Sequence, residues 1–464
     1  MAGRSEEGLP VDHCGKCATA EATLRCDICE GKLCAGCWDE IHCLGALLRH
    51  IPVALSSPAT LFPCSPWGST DFFHRVQSQA FEVKEVSRYA LGSCLAHAGT
   101  LSRGDPVTGS INMPLYLGTT FRRADNGSWP HGYSYGRHSN PTRWLFEKTM
   151  NEIEGGAHSL SFASGMAVAH AVFFGFLHPG DHVLLSDDVY REIFLLLDSL
   201  SAKMGFTYSL FDVNQLEQLD AGLKQYPRCK IVWVEIISNP LLKVANLRQI
   251  REIISANGVS PLFVADSTWS PPVMIKPLSF GVDLVLHSCT KYIGGHSDLL
   301  GGVVVMNNAA FLTPLRSVQT SSGGMMAPYD CFLALRSLRT LHVRLQRHCE
   351  NARHIAEFLA QQKPRVKRVL YPGFEGSHQS ASEQFSKVQG ETLCGGMISF
   401  ELDGGFAATT LFAAKLQLFT NSTSLGATES LVEPSKKYPG LVRLSIGLED
   451  PLDLIQDLNR AFTQ

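Results

Sequence analysis

The chain has 464 residues, of which 45% are hydrophobic and 18% are charged, and its formal net charge at pH 7 is -3. This length predicts two or three domains, and the composition is typical of a soluble globular protein. The nearly balanced charge gives no electrostatic attraction to nucleic acid or to an anionic membrane, so we expect neither as a partner.

The N-terminus, up to Glu7, has no apolar core, and no run of about 18 apolar residues occurs along the chain. We therefore expect neither a signal peptide nor a transmembrane helix, and we predict a cytoplasmic protein. Seven of the 14 cysteines lie between Cys14 and Cys43. The others are scattered, as is typical of reduced, buried thiols.

The clustered cysteines form three pairs, each with two residues between its members, and two histidines follow. The eight residues are Cys14, Cys17, Cys26, Cys29, Cys34, Cys37, His42 and His50. Two pairs of such ligands bind one tetrahedral Zn²⁺, so eight ligands predict two structural zinc ions. Zinc binding would supply the folding free energy of so short a segment. A disulfide framework is the alternative, but no secretory signal supports it.

Residues 10–52 resemble a B-box zinc finger. The resemblance implies interleaved ligands: Cys14, Cys17, Cys34 and Cys37 bind one zinc, and Cys26, Cys29, His42 and His50 bind the other. His13 and Cys43 could substitute for a neighbouring ligand. B-boxes mostly serve as interaction modules, so this segment implies a possible protein partner and no catalytic role.

Residues 53–90 contain Ser-Ser-Pro and Cys-Ser-Pro-Trp-Gly-Ser without sustained periodicity, which predicts a linker. Beyond residue 145, short strand-like runs alternate with the helical stretches 191–204 and 246–256. The runs are Val183–Leu185, Ile231–Val234, Leu262–Val264 and Leu284–Leu286. This alternation predicts an α/β fold with a mainly parallel sheet covered by helices on both faces.

The C-terminal third has a different pattern. A long helical stretch at 330–362 precedes strand-like residues at 369–373 and 397–401, and a final helix is predicted near 451–462. This pattern predicts a smaller α+β domain. The predicted boundaries are therefore 91–340 for an N-terminal arm with the large domain, and 341–464 for the small domain.

Lys291 follows the apolar run 282–286, and the hydroxyls of Ser288 and Thr290 flank it, with two glycines after it. A lysine in such a loop can form a Schiff base, while the hydroxyls hold a phosphate. This combination indicates a site for pyridoxal 5'-phosphate. A solvated surface lysine is the alternative.

Asp266 directly follows the strand-like run 262–265, and it precedes Lys291 by 25 residues. Loops beyond the carboxyl ends of parallel strands form the ligand crevice of an open α/β sheet, so the two residues can meet there. A carboxylate beside a pyridine nitrogen keeps that nitrogen protonated and lets the ring accept electrons. A cap or turn residue is the alternative.

Three further features fit the same site. Residues 161–167 are small and open an apolar helix, whose N-terminus can bind a phosphate, although an ordinary helix cap would look the same. Tyr190 follows a strand and can stack on a flat ring. Arg443 lies in an apolar strand and suits a substrate carboxylate, with a structural ion pair as the alternative.

From Leu95 to the C-terminus the chain resembles the Cys/Met-metabolism family of pyridoxal-phosphate enzymes: cystathionine gamma-synthases, cystathionine lyases and sulfhydrylases. The motifs that carry the resemblance are Tyr135-Gly136-Arg137, Ser238-Asn239-Pro240, Asp266-Ser267-Thr268, the run 288–298, Leu335-Arg336-Ser337, Ser424-Leu425-Gly426 and 443–450. The resemblance implies a type I, aspartate-aminotransferase-like fold. It also implies amino-acid substrates and a homodimer or a dimer of dimers with shared sites.

The resemblance also implies a role for each matching residue. Lys291, Asp266 and Tyr190 would be the catalytic residues. The cofactor would contact Tyr135 and Arg137 of a neighbouring subunit, and Gly165, Met166, Asn239, Thr268, Ser288 and Thr290 of the same subunit. Ser424 and Arg443 would bind the substrate carboxylate. Within the family we favour cystathionine gamma-synthase, with a cystathionine gamma- or beta-lyase as the alternative.

The chain departs from the family at several positions. Arg191 and Glu192 replace the small residues that usually follow the stacking tyrosine, and Thr423 replaces a frequent glutamate. The stretch between Glu433 and Leu441 is shortened. A second class of function therefore remains: an interaction protein whose B-box is active and whose enzyme scaffold is retired. The intact lysine, aspartate and arginine argue against it.

Overall fold

The structure is a computed structural model that describes residues 86–374 and 383–463, together with three short strands before them. These strands are β1 (Leu24–Cys26), β2 (Lys32–Leu33) and β3 (Pro52–Ala54), and they form an antiparallel sheet in the order β2-β1-β3. Because β3 pairs with β1, it crosses the predicted boundary between zinc finger and linker at residue 52. The side chains of the eight predicted zinc ligands lie outside the described residues.

The chain divides into two compact units, Met1–Glu82 with Gly118–Asn140, and Val83–Leu117 with Pro141–Gln464. Helices and strands alternate along the second unit. Up to residue 306 they are α1 (Leu91–Ala96), α2 (Pro141–Glu154), β4 (His158–Phe162), α3 (Gly165–Phe176), β5 (His182–Ser186), α4 (Arg191–Met204), β6 (Thr207–Phe211), α5 (Leu216–Gln225), β7 (Cys229–Glu235), α6 (Leu247–Ala256), β8 (Leu262–Asp266), β9 (Leu284–Ser288) and β10 (Gly302–Met306).

Strands β4 to β10 form one seven-stranded sheet in the order β4-β10-β9-β8-β7-β5-β6. The pairs from β9 to β6 are all parallel, whereas β10 runs antiparallel to both of its neighbours. The predicted α/β alternation is confirmed, and the sheet is mixed. The sequence did not reveal the reversal at β10, because an apolar run carries no information about strand direction.

The central strand β7 is buried on both of its faces. All four residues from Ile231 to Val234 in β7 are buried, so both faces of this strand must be covered. Local signals agree with the helical stretches predicted beside it. In α6, the Asn246 side chain accepts a hydrogen bond from the Gln249 amide, and Leu247, Ile250 and Ile254 form its buried stripe.

A second, smaller sheet follows in the C-terminal part. The elements are α7 (Leu312–Ser322), α8 (Pro328–Leu338), α9 (Leu341–Ala360), β11 (Val366–Leu370), β12 (Lys387–Val388), β13 (Glu391–Thr392), β14 (Met397–Leu402), α10 (Gly405–Lys415), β15 (Thr420–Asn421), β16 (Leu431–Pro434), β17 (Leu441–Ser445) and α11 (Pro451–Thr463). The sheet order is β11-β14-β17-β16-β15, and only the β15–β16 pair of this sheet is parallel. None of the helices in the described ranges is long and apolar enough to cross a bilayer.

The single helix predicted over 330–362 is in fact two helices, α8 and α9, which meet at residues 339–340. The Ser337 carbonyl accepts hydrogen bonds from the Thr340 hydroxyl at 3.2 Å and from Arg344 Nη2 at 3.0 Å. The Thr340 amide donates to the same carbonyl at 3.2 Å, so three donors meet it at the end of α8. Periodicity alone could not show this break, because the apolar pattern continues through it.

Candidate active site

The candidate site lies where parallel strands of the large sheet end. Asp266 and Ser288 are the last residues of β8 and β9, and Glu235 is the last residue of β7. Glu235 lies directly opposite Asp266 in the parallel register. Because parallel strands present their carboxyl ends at one edge of the sheet, the loops after β8 and β9 begin at the same edge. The meeting of Asp266 and Lys291 there stays a prediction.

Lys291 lies in the loop after β9 and reaches the small sheet. Its Nζ donates a hydrogen bond to Ser424 Oγ at 2.6 Å. Burial lowers the pKa of Lys291 to about 8, the positive charge of Arg443 adds to this effect, and Glu433 opposes it. Ser424 has a φ of 92°, a strained conformation for a residue with a side chain, and such strain often occurs at functional sites.

Asp266 is held by the residues that follow β8. Its Oδ1 accepts a hydrogen bond from the Thr268 amide at 2.9 Å, and Thr268 Oγ1 accepts one from the Ser288 amide at 2.8 Å. Burial raises the pKa of Asp266, and the hydrogen bonds from Thr268 oppose this rise. A partly buried carboxylate is stabilised by a neighbouring cation, so Asp266 fits the protonated nitrogen of a pyridine ring.

The N-terminus of α3 fits a phosphate. Ser164 caps this helix and accepts a hydrogen bond from the Ala167 amide at 3.1 Å. Gly165 begins the helix, and a Cβ atom on it would lie 2.9 Å from the Cβ of Ser288, so glycine permits this close approach. Amides at a helix N-terminus and nearby hydroxyls bind anions well. The partly buried Met166 packs against the hydrophobic core of the seven-stranded sheet.

Thr290 lies in the same loop as Lys291. Its Oγ1 accepts a hydrogen bond from the Gly301 amide at 3.2 Å. This contact holds the Thr290 side chain against the backbone of Gly301. The groups that follow β8 and β9 and begin α3 match a phosphorylated pyridine aldehyde: an amine, a partly buried carboxylate, a capped helix N-terminus and hydroxyl groups.

Arg443, in β17, is surrounded by acceptors. Its Nη1 donates to Asn239 Oδ1 at 3.0 Å, and its Nη2 donates to the Ser424 carbonyl at 3.2 Å. The Nη2 atom also forms an ion pair with Glu433, and the guanidinium lies 5.7 Å from the centre of the Trp269 ring. The structure thus brings Lys291, Ser424, Asn239 and Arg443 together, as the sequence predicted.

Tyr190 precedes the first residue of α4, and its side chain is half exposed. The Tyr190 amide donates a hydrogen bond to Glu235 Oε1 at 2.5 Å, which fixes the backbone at this turn. Burial and the negative charge of Glu192 raise the pKa of Tyr190, so the phenol keeps its proton at neutral pH. Arg191 and Glu192 lie side by side, with 4.0 Å between Nη1 and Oε1, and the Arg191 side chain is exposed.

Glu235 is a site residue that the sequence interpretation missed. Its side chain is buried, and Oε2 has no hydrogen-bond partner among the described residues. Burial, followed by the negative charge of Asp266, raises the pKa of Glu235 well above its usual range. The available signal was its position, since a carboxylate ending a buried strand beside the Asp266 strand is unusual.

Tyr135 and Arg137 belong to the other unit, within Gly118–Asn140. The Arg137 guanidinium lies 5.7 Å from the centre of the Tyr135 ring, and the Gly136 amide donates to the Thr119 carbonyl at 2.6 Å. The two predicted phosphate ligands are therefore neighbours on one turn. Their contribution to a site of another subunit stays a prediction.

Within residues 86–374 and 383–463, no cluster of three or more His, Cys, Asp or Glu side chains could hold a metal ion. The predicted zinc ligands lie outside these ranges. The six cysteines described are free and buried, as the sequence predicted for the scattered thiols: Cys94, Cys229, Cys289, Cys331, Cys349 and Cys394.

Comparison with known proteins agrees with this geometry. The family model "Cys/Met metabolism PLP-dependent enzyme" matches residues 93–463. Cystathionine gamma-synthase of Mycobacterium tuberculosis is 38% identical over 79% of the chain and 95% of its own length, and cystathionine beta-lyase of Coxiella burnetii is 38% identical over 79% and 96%. The solved structure of cystathionine gamma synthase from Xanthomonas oryzae, in complex with aminoacrylate and cysteine, is 36% identical with a TM-score of 0.75, covering 81% of the chain and 98% of its own. The chain therefore belongs to the pyridoxal-phosphate-dependent enzymes of Cys/Met metabolism.

Proposed function

We propose that the protein is a cystathionine gamma-synthase, which replaces the leaving group at Cγ of an activated homoserine with the thiol of cysteine. The observation that carries pyridoxal-phosphate chemistry on an amino acid is the contact between Lys291 and Ser424, with Arg443 bound to the Ser424 carbonyl. The choice of a synthase rests on relatives named cystathionine gamma-synthase. A cystathionine gamma- or beta-lyase is the second candidate, and the beta-lyase of Coxiella burnetii, 38% identical, supports that alternative equally.

The chain contains residues suited to each part of the cofactor. Lys291 would bind it covalently, Asp266 would pair with its ring nitrogen, and Tyr190 would stack on the ring. Asn239 and Thr268 would hold the ring in place. The phosphate would contact Gly165, Met166, Ser288 and Thr290, and also Tyr135 and Arg137 of a neighbouring subunit. When bound, the group withdraws electrons from the α-carbon of an amino acid.

Lys291 is suited to move protons. With a pKa of about 8, a sizeable fraction of its Nζ is unprotonated near neutral pH, and such an amine can accept a proton from Cα and return it to a neighbouring carbon. The Ser424 hydroxyl is within hydrogen-bond distance of Nζ and orients it. Tyr190 retains its phenolic proton, so it can act as a donor in the same region.

Substrate orientation would come from Arg443 and Ser424. A guanidinium pairs with a carboxylate through two parallel hydrogen bonds, which fixes the plane of the amino-acid backbone. Neither this contact nor the cofactor shell separates a synthase from a lyase, since both reactions need them. Thr423 and the Arg191-Glu192 pair lie where the chain departs from its family, and we assign substrate choice to them.

The decisive experiment compares two assays on the purified protein. Cystathionine formation from an activated homoserine and cysteine supports the synthase, and faster breakdown of cystathionine supports the lyase. Borohydride reduction of the coloured protein should fix the cofactor on Lys291. A protein that stays colourless after addition of the cofactor would overturn both candidates and favour an interaction protein on a retired scaffold.

We propose further that residues 10–52 form a B-box-type domain with two zinc ions, which offers a surface for a protein partner. Its support is the spacing of the eight ligands. Metal analysis of the full-length protein should find two zinc ions per chain. Cys14→Ser should lower the zinc content, whereas Cys64→Ser, which lies outside the ligand set, should leave the zinc content unchanged.

A further inference from the structure

We propose that Glu433 sets the affinity for amino-acid substrates by occupying Arg443, so that a substrate binds by exchanging its own carboxylate for that of Glu433. This inference rests on the proposed function, in which Arg443 receives the substrate carboxylate. It adds a determinant of substrate binding that is part of the enzyme itself and competes with the ligand.

The two residues face each other across neighbouring strands. Glu433 in β16 and Arg443 in β17 are direct partners in the antiparallel register. Residues in that position project to the same face, where opposite charges attract. The side chains form an ion pair between Oε2 of Glu433 and Nη2 of Arg443. The register of the two strands therefore places these side chains opposite each other.

Both hydrogens of Arg443 Nη2 are already in use, and Nη1 has one partner. One terminal nitrogen bonds to Asn239 Oδ1, and the other bonds to the Ser424 carbonyl and pairs with Glu433. The Arg443 side chain is only 10% exposed, so little water reaches it. A carboxylate that pairs with both terminal nitrogens therefore needs a partner of Nη2 to leave first.

Glu433 is the partner that can leave most easily. Its side chain is 35% exposed, so its carboxylate can turn towards water and remain solvated. The Ser424 carbonyl belongs to the backbone and cannot turn away alone. The exchange also keeps one negative charge beside Lys291 throughout, since the substrate carboxylate replaces that of Glu433. The negative charge next to Lys291 is therefore the same with and without substrate.

The test uses the cofactor-loaded protein and the variant Glu433→Gln, which removes the charge and retains the shape. The probe is glycine, an amino acid without a group to eliminate, and its dissociation constant is read from the change in visible absorbance. We expect glycine to bind about tenfold tighter to the variant, because a charged competitor is lost. For the reacting substrate we expect KM to fall by more than kcat changes. Methylamine, which lacks a carboxylate, should bind both proteins equally.

A matched control exists at the other edge of the same sheet. Arg368 and Glu401 also form a cross-strand ion pair, and the Glu401 side chain is 34% exposed. Glu401→Gln should leave glycine binding unchanged. Glu433→Ala serves as a second variant, with the same expected tightening, and thermal unfolding of each variant verifies that it is folded.

The outcomes separate the two proposals. Equal or weaker glycine binding by folded, cofactor-loaded Glu433→Gln and Glu433→Ala would overturn this inference alone, because Glu433 would then position Arg443 rather than compete for it. A wild-type protein that takes up no cofactor, or that binds no glycine, would overturn the proposed function and this inference with it.

Discussion

Lys291 becomes partly buried when the chain folds, and the loss of solvation lowers the pKa of its amine from 10.5 to about 8. Only the neutral amine attacks a carbonyl. The folded site therefore supplies a nucleophile near neutral pH that an exposed lysine would supply only in strongly alkaline solution. The shift has a cost, since the protein must bury a group that prefers to be charged.

The first prediction concerns the apoprotein. The rate at which it captures pyridoxal phosphate covalently should rise with pH and level off above about 8, because the unprotonated fraction of Lys291 rises through that pH. Stopped-flow absorbance measures the rate. Lys291→Ala should show no covalent capture at any pH. A midpoint near 10, as for an exposed lysine, would contradict the assigned pKa.

Glu235 gives a second prediction at this scale. Burial and Asp266 raise its pKa, so the folded protein binds more protons than the unfolded chain between the two pKa values, and its stability falls as pH rises above about 4.3. Glu235→Gln lacks this titration. In the apoprotein it should be more stable than wild type at pH 8, and the difference should shrink towards pH 5, as measured by urea unfolding.

The contrasting variant is Glu235→Leu. Leucine cannot accept the hydrogen bond from the Tyr190 amide, which Glu235 Oε1 accepts at 2.5 Å. We expect a loss of about 1–3 kcal/mol relative to Glu235→Gln, because a buried donor is left unpaired. If the two variants unfold at the same urea concentration, Glu235 does not support the Tyr190 turn.

At the scale of elements, the loop after Lys291 packs tightly on helix α9. Arg344, in α9, donates through Nη1 to the Tyr292 carbonyl at 2.8 Å and through Nη2 to the Ser337 carbonyl at 3.0 Å. A Cβ atom on Gly295 would lie 2.1 Å from Arg344 Nη1. One buried arginine thus ties the lysine loop to the junction of α8 and α9, and glycine is required beside it.

This packing predicts the effect of two matched substitutions. Gly295 and Gly323 have nearly the same left-handed φ, 71° and 72°, but nothing lies within 4 Å of a Cβ atom on Gly323. Gly323→Ala should cost about 1–2 kcal/mol through backbone strain alone. Gly295→Ala should cost clearly more, since it also displaces Arg344. If urea unfolding gives the same loss of unfolding free energy for both variants, the loop can move away from Arg344 at no energetic cost.

At the scale of the whole molecule, the residues predicted to contact the cofactor are distributed over both compact units. Lys291 and its neighbours lie in the unit of Val83–Leu117 with Pro141–Gln464, whereas Tyr135 and Arg137 lie in the unit that contains Gly118–Asn140. We propose that these two residues complete the site of a neighbouring subunit. In a twofold dimer, each chain then gives one part to each of two equal sites.

Complementation tests this arrangement. Lys291→Ala and Arg137→Ala should each be nearly inactive, yet their co-expression should restore activity, because a mixed dimer contains one site with both wild-type residues. Random pairing gives at most about a quarter of wild-type activity. The control pairs Lys291→Ala with Asp266→Ala. Those residues share one subunit's site, so mixing should restore nothing. Failure of the first pair to complement would contradict a shared site.

The sequence by itself determined the family and the alternation of strands and helices, and it singled out Lys291, Asp266 and Arg443. The chemistry of these three depends on residue type and on position in or after a strand, both of which can be read along the chain, whereas Asn239 and Ser424 were identified from the motifs of the family. The alternation of short apolar runs with amphipathic stretches likewise predicts an α/β sheet without any knowledge of contacts.

Only the tertiary structure decided the features that depend on residues distant in sequence. The reversal of β10 and the break between α8 and α9 follow from pairing and hydrogen bonds that periodicity does not encode. The pairing of Glu433 with Arg443 and the burial of Glu235 beside Asp266 depend on strand register. Charge and burial act through space, so their effects appear only once the strands are placed side by side.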